Sequence, residues 1–244
     1  MRADYTRWLT EQQYADNTKA AQLHRVKKVE ESYGNLDEHF ANGTYDGVIN
    51  ALKYSRADEK ANKPNPSKIK FDGNIRNNLQ SYKNAVVRYR KFLNDIGFQK
   101  APIPQQDLRE KNGTLSDAES NRQRLSLERD MQAALRRNIA SLDPSLKIID
   151  DGSERAVDSG LIDITCDDGK SIVVVEIKAG QADNRAIGQI LGYMGDLLEE
   201  EDGRPVRGIL VAHDFDKRTK AAARVVPTLS LRKYSIEFKF TPAD

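Results

Sequence analysis

The apolar positions divide the chain in two. Through the first hundred residues they follow the 3.6-residue period of helices. Leu23, Val26, Val29 and Tyr33 recur at helical spacing behind Thr18, which is placed as an N-cap, and Gly34 supplies a stop. A short helix is expected from Tyr45 to Tyr54. Residues 56–73, with Pro64, Pro66 and Gly73 among lysines, read as a loop. Ile75, Leu79, Tyr82, Val86, Tyr89 and Leu93 then alternate steps of four and three, one apolar stripe along a single long helix.

Pro102, Pro104 and Gly113 mark a linker. Ser116-Asp117-Ala118-Glu119 matches a capping box, and the helix it opens carries Leu127, Met131, Leu135, Ile139 and Leu142 before Asp143-Pro144 ends it. From there the pattern alternates helix with strand. Strands are expected at Lys147–Asp150, on either side of Asp168-Gly169, at Val206–Ala212 and, at an edge, at Ser235–Phe240. Ile187, Ile190, Leu191, Met194 and Leu197 define a helix over 184–198, and Asp214 caps another through Ala223. Gly188, Gly192 and Gly195 lie inside the first of these. Each costs about 1 kcal/mol there relative to Ala, which predicts close packing against the sheet. The fold class is an α/β C-terminal domain (mixed central sheet flanked by helices) preceded by an all-α N-terminal domain. The boundaries are 1–100, a linker at 101–115, and 116–244.

The chemistry concentrates in the strand pair. Ile172 to Val175 is a continuous β-branched run, as in a strand covered on both faces, yet Asp163, Glu176 and Lys178 are set into that apolar pair. With Asp168-Gly169 as a two-residue turn, Asp163 faces Val174 and Glu176 faces Leu161. Asp163, Glu176 and Lys178 then share one face, with the carboxylates as diagonal neighbours about 7 Å apart. Two converging carboxylates make a hard, oxygen-rich site suited to Mg²⁺. Lys178 could hold an attacking water or steady a phosphate.

On these residues the chain resembles the PD-(D/E)XK nuclease superfamily, whose signature is an acid on one strand and (Asp/Glu)-x-Lys on the next. Gly160-Leu161-Ile162-Asp163, Val174-Val175-Glu176-Ile177-Lys178 and Gln189-Ile190-Leu191-Gly192-Tyr193 are similar to its NucS-like branch, over about residues 126–240. The resemblance implies a metal-dependent DNA endonuclease acting in restriction, defence or repair, with Mg²⁺ held by Asp163 and Glu176 and Mn²⁺ substituting. It assigns Lys178, Gln189 and Glu128 to the catalytic edge, although an isolated helical Glu such as Glu128 also reads as plain surface. Gln189 and Tyr193, one turn apart, could equally tie helix to sheet. The alternative is a catalytically silent or partner-activated nucleic-acid-binding module of the same fold.

Charge adds one feature. The whole chain carries only +2, with 31% charged residues, but residues 51–100 hold twelve Lys/Arg against four acids, an excess of eight. Arg76, Lys83 and Arg90 repeat every seven residues, with Arg88 beside them. Together with Tyr193 these are the expected DNA contacts, against the plainer reading of a solvated helix face. DNA is the expected partner, with a second copy of the chain or a defence-system component as further partners. Cys166 stands alone, so no internal disulfide forms, and it reads as a small apolar filler. His24, His39 and His213 have no metal-ligand spacing and read as structural or surface. No apolar run reaches membrane-spanning length and no signal peptide is apparent, so a cytoplasmic location is expected.

Overall fold

The computed structural model describes residues 1–95, 98, 117–150 and 152–236, with the side chains of 117–125 outside that description. The N-terminal half is helical, as its periodicity indicates. The elements are α1 (Tyr5–Glu11), α2 (Asp16–Tyr33), α3 (Leu36–Ala41), α4 (Tyr45–Ala51), α5 (Arg56–Lys60) and α6 (Ile75–Asn94). Gly34 ends α2 at φ +94, a conformation that costs glycine least. The Asn74 side chain caps α6 by accepting from Asn77 N. Within the expected loop, Ser55 and Asp58 form a reciprocal capping box that builds α5. α6 is the axis of this half. Tyr89 and Phe92 pack on Tyr5 of α1 with ring centroids 4.8 and 5.1 Å apart, and Trp8 closes the cluster.

The linker and Ser116 lie outside the described residues, as do the side chains of the expected capping box at 116–119. α7 (Asp117–Arg137) then leads into a five-stranded sheet. In order across the sheet these are β1 (Lys147–Ile148), β4 (Ile164–Asp167), β5 (Ile172–Ala182), β6 (Val206–Phe215) and β7 (Leu229–Lys233). β1, β4 and β5 pair antiparallel, while β5, β6 and β7 pair parallel, so the sheet is mixed. β2 (Arg155–Val157) and β3 (Gly160–Ile162) form a separate antiparallel ribbon. α7 covers one face over Val173, Val175 and Ile177; α8 (Asn184–Glu200) covers the other over Val174 and Leu210. α9 (Lys217–Arg224) is capped by Asp216, two residues later than expected. Among the described residues the edge strand is β7; Ser235 and Ile236 lie outside any strand, and 237–240 of the expected strand lie outside the described residues. No helix among the described residues is long and apolar enough to cross a membrane.

The helix glycines do not pack as expected. A Cβ at Gly188 or Gly195 would meet nothing within 4 Å, and one at Gly192 would meet only the Ser159 side chain. The close approach is made by the strand instead. At Gly208 of β6 a Cβ would lie 2.7 Å from Met194 Sδ and 3.0 Å from Ile190 Cδ1, so α8 rests on the bare backbone. Gly208→Ala is therefore expected to cost about 1–3 kcal/mol by overpacking, read as a lower melting temperature.

Candidate active site

The turn between β4 and β5 spans four residues, Asp168 to Ser171. Asp168 Oδ1 accepts from Lys170 N and Ser171 N, and only Gly169 takes a positive φ. This corrects the expected two-residue turn and moves the register by two. Ile164 pairs with Val175 and Asp167 with Ile172, so the line of pairing carries Glu176 directly across from Asp163. Parity is unchanged, and the two carboxylates share a face as predicted.

Asp163 sits at the bend where the chain leaves the β2–β3 ribbon for the main sheet. Its carbonyl is satisfied from α7, by Gln132 Nε2 at 2.7 Å and Arg136 Nη2 at 2.5 Å. Its carboxylate accepts from Ile177 N at 2.9 Å. Arg136 is held by two hydrogen bonds to the buried Asp150. Gln132 and Arg136 thus fix the bend that aims Asp163. One turn apart on α7, they look in sequence like ordinary surface residues.

Glu176 is 1% exposed, and its Oε2 has no hydrogen-bond partner, while Oε1 accepts from Lys178 Nζ at 2.8 Å. Burial raises the pKa of both Asp163 and Glu176, and their mutual repulsion adds to it at Glu176. Burial alone would lower Lys178, but the charge and hydrogen bond of Glu176, together with the charges of Asp163 and Glu128, outweigh it and raise the ammonium. The β5 ladder breaks between Lys178 and Gln181, which frees Ala179 N, and Glu128 Oε1 takes it at 3.0 Å. Glu128 is thereby brought to the edge of the site, close enough to add to the field on Glu176.

The Gln-x-x-x-Tyr pair closes the α8 side. Gln189 Nε2 donates to the Tyr193 hydroxyl at 2.8 Å. Tyr193 is buried in the α8 core, against the expectation that it touches DNA. Its ring lies over Gly160, where a Cβ would be 3.1 Å from the hydroxyl. The glycine three residues before Asp163 leaves room for that ring.

The expected phosphate contacts on α6 are otherwise engaged. Arg88 is 0% exposed and donates to Glu154 Oε2 and to the Glu154 carbonyl; Tyr14 also donates to Glu154. Lys83 is 3% exposed and bonds Glu200 at 2.5 Å. Arg76 pairs with Glu201, and Arg90 bonds Asp46 within the helical half at 2.6 Å. Arg76, Lys83 and Arg88 thus neutralise carboxylates across the seam between the two halves, because a buried charge needs a partner more than a surface one does. Substituting Arg76, Lys83 and Arg90 together by Gln is expected to lower the melting temperature by several degrees. The salt slope of DNA binding, which the loss of phosphate contacts would flatten, should stay as it is.

A cavity of about 440 Å³ beside Arg76, Arg155 and Glu201 lies along the same seam, its charges already paired, and does not have Asp163 in its wall. A smaller one, about 130 Å³, has Asp163 and Glu128 in its wall with Trp8, Gln12 and Lys91 of the helical half. Lys91 is one of the twelve Lys/Arg counted over residues 51–100. Cys166 is buried under α7 as an apolar filler, His39 bonds Thr44 and the Tyr33 carbonyl, and His213 rests edge-on against Tyr234.

Residues 127–237 match the family model described as the Endonuclease NucS C-terminal domain. Among curated proteins, the chain is 36% identical over 85 residues to Endonuclease NucS of Pyrococcus furiosus. That match covers 34% of this chain and 30% of the relative. It is 33% identical over 113 residues to Endonuclease NucS of Thermococcus kodakarensis, covering 46% and 40%. The matched region thus spans about a third of the length of these relatives. Among solved structures, a repair endonuclease from Pyrococcus abyssi is 28% identical, with a TM-score of 0.39 and coverage of 51% of this chain and 49% of that one. A structure described as an EndoMS–dsDNA2 complex is 26% identical, with a TM-score of 0.43 and coverage of 55% and 51%. The C-terminal half is NucS-like, and the family match begins beyond the helical half.

Proposed function

We propose that the chain is a metal-dependent DNA endonuclease whose active site is the facing pair Asp163 and Glu176 with Lys178. The observation that carries this is Glu176 Oε2, a buried carboxylate oxygen with no partner inside an apolar sheet. An isolated buried acceptor is costly, and a cation against it is the economical remedy.

The donor set fits Mg²⁺. Among the described residues no group of three or more His, Cys, Asp or Glu side chains converges to hold a metal alone. Two carboxylates with room for waters suit Mg²⁺, which keeps much of its hydration shell, and the Ile177 carbonyl is a candidate further donor. When bound, such an ion offsets charge on the phosphate and lowers the pKa of a coordinated water. Asp163 and Glu176 would hold the ion, with Asp163 oriented through Ile177 N. Lys178, now held by Glu176, would turn to the attacking water or to a phosphate oxygen once the cation takes over that carboxylate. Glu128 would steady the β5 bulge just past Lys178, and Gln189 would hold the α8 edge through Tyr193. The endonuclease names of the relatives support cleavage within a strand as the reaction, with DNA the substrate proposed. The cytoplasm, with a repair or defence role, is the setting proposed for it.

The test is incubation of the purified protein with circular and linear, single- and double-stranded DNA, with Mg²⁺, Mn²⁺ or EDTA. Cleavage of a circular substrate with either ion and none with EDTA is expected. Cutting that persists in EDTA would sink the metal-dependent reading.

A further inference from the structure

We propose that Tyr234, the residue after β7, is a positioning residue for Lys178: its hydroxyl holds the Ala179 carbonyl and so fixes the backbone from which the Lys178 ammonium is aimed. This rests on the nuclease reading and adds to it a side chain from the far edge of the sheet.

The need for such a grip comes from the ladder. Lys178 pairs with Ala212 and Gln181 with Asp214, so Ala179 and Gly180 of β5 stand opposite His213 alone. One extra residue makes a bulge, which bends a strand and re-aims the side chains beside it. Ala179 thereby loses its place in the β5–β6 ladder, and it is buried, so its backbone groups need other partners. Side chains meet both. The Ala179 N–H donates to Glu128 Oε1 at 3.0 Å, and its carbonyl accepts from the Tyr234 hydroxyl. One grip comes from α7 and the other from beyond β7.

Tyr234 is itself held in place. Its backbone N–H donates to the Ala212 carbonyl at 3.1 Å, next to the last β6–β7 pair, Ala212 with Lys233. Its ring rests edge-on against His213, the residue that the bulge faces, with centroids 5.8 Å apart. The ring also packs on the core under α7 that includes Ile177. Burial, and after it the charge of Glu128, raises the pKa of the phenol, so at neutral pH the hydroxyl keeps the proton it donates. Lys178 is the last residue paired before the bulge, and its Nζ reaches Glu176 Oε1 at 2.8 Å. A bulge that could turn would swing the Lys178 backbone, and the ammonium at the end of its long stem would move further still.

Tyr234→Phe deletes the hydroxyl and keeps the ring against His213. Cleavage in Mg²⁺, calorimetric Mn²⁺ titration, melting curves and amide exchange over residues 178–181 are measured on parent and variant. The variant should lose about ten- to a hundredfold in kcat with KM unchanged, as a small misplacement at the chemistry costs. Mn²⁺ affinity should match the parent's, because Asp163 and Glu176 are untouched, and exchange should quicken at Ala179 and Gly180 alone. Lys233→Gln, which removes the neighbouring ion pair to Asp214, should cut like the parent. A residue that only ties down the end of β7 gives another pattern: a lower melting temperature, faster exchange across β6 and β7, and an unchanged kcat below the melting transition. That pattern overturns the inference, and so does a variant that matches the parent in kcat and exchange. Loss of Mn²⁺ affinity along with kcat also overturns it, since the defect then lies at the carboxylates. In each of these cases a parent that cuts DNA leaves the nuclease reading standing. A parent that cuts nothing with either ion overturns both.

Discussion

Glu176→Gln abolishes cleavage at every Mg²⁺ concentration and, without metal, leaves a protein more stable than the parent. The first half follows from losing one of two carboxylates that would hold the ion. The second follows from linkage. Burial and the facing Asp163 raise the Glu176 pKa above its unfolded value, so the folded state holds its proton more tightly than the unfolded state does. Stability of the parent therefore falls as pH rises from the ordinary carboxylate range near ~4 toward the raised folded value. At neutral pH Glu176 weighs against folding. A glutamine of the same shape carries no such penalty, and Asp163 remains to offset the Lys178 charge. The gain should be about 1–2 kcal/mol, or roughly 2–8 °C in melting temperature for a chain this long. Mg²⁺ should stabilise the parent and not the variant. Melting scans from pH 4.5 to 8, with and without Mg²⁺, measure all of this. Equal pH profiles, or a variant that cuts as the parent does, would remove Glu176 from the metal site.

That the proposed catalytic pair could be picked out in the sequence at all comes from a contradiction visible there. Charges interrupt a β-branched strand that has nowhere to put them. The parity of the strand was enough to place Asp163, Glu176 and Lys178 on one face, even though the turn proved to be four residues. A register error of two keeps every side chain on its side of the sheet; an error of one would have lost the site. The helix end at Gly34 was legible for the same reason, being set by a residue that is local in sequence.

What sequence could not supply is the partner of each α6 cation. Arg76, Lys83 and Arg88 look like a solvated or DNA-facing line because the carboxylates they meet, Glu201, Glu200 and Glu154, lie 66 to 125 positions away. Helical period says which side chains share a stripe, and says nothing about whether water, DNA or another part of the chain covers it. The same limit hid Gln132 and Arg136, whose work at the Asp163 carbonyl depends on a bend that neither residue encodes. β7 went unread because Leu229–Lys233 is a short, half-polar edge strand with little apolar run to mark it.

The buried pair Arg88 and Glu154 gives the largest expected change in stability. Burial alone would raise the Glu154 pKa, but Arg88 foremost, with Lys91 and Tyr14, holds it at about 2, so the carboxylate stays ionised throughout the useful pH range. Arg88→Met removes the principal counter-charge and leaves Glu154 ionised in a dry seam, with the Tyr14 hydroxyl and the more exposed Lys91 as its remaining partners. Breaking a buried pair from one side typically costs about 3–5 kcal/mol. Arg88→Met/Glu154→Met should recover most of that loss, because no charge is then stranded and two apolar side chains fill the space. Urea unfolding of the parent, both single variants and the double variant closes the cycle, with a coupling of about 2 kcal/mol or more expected. The parent's own contribution from Glu154 is present above the ordinary glutamate pKa and is lost as pH falls toward about 2, which gives an acid limb that the double variant should lack. If Arg88→Met instead unfolds like the parent and reduces only the salt dependence of DNA binding, Arg88 is a phosphate contact and the seam between the two halves is held by other residues.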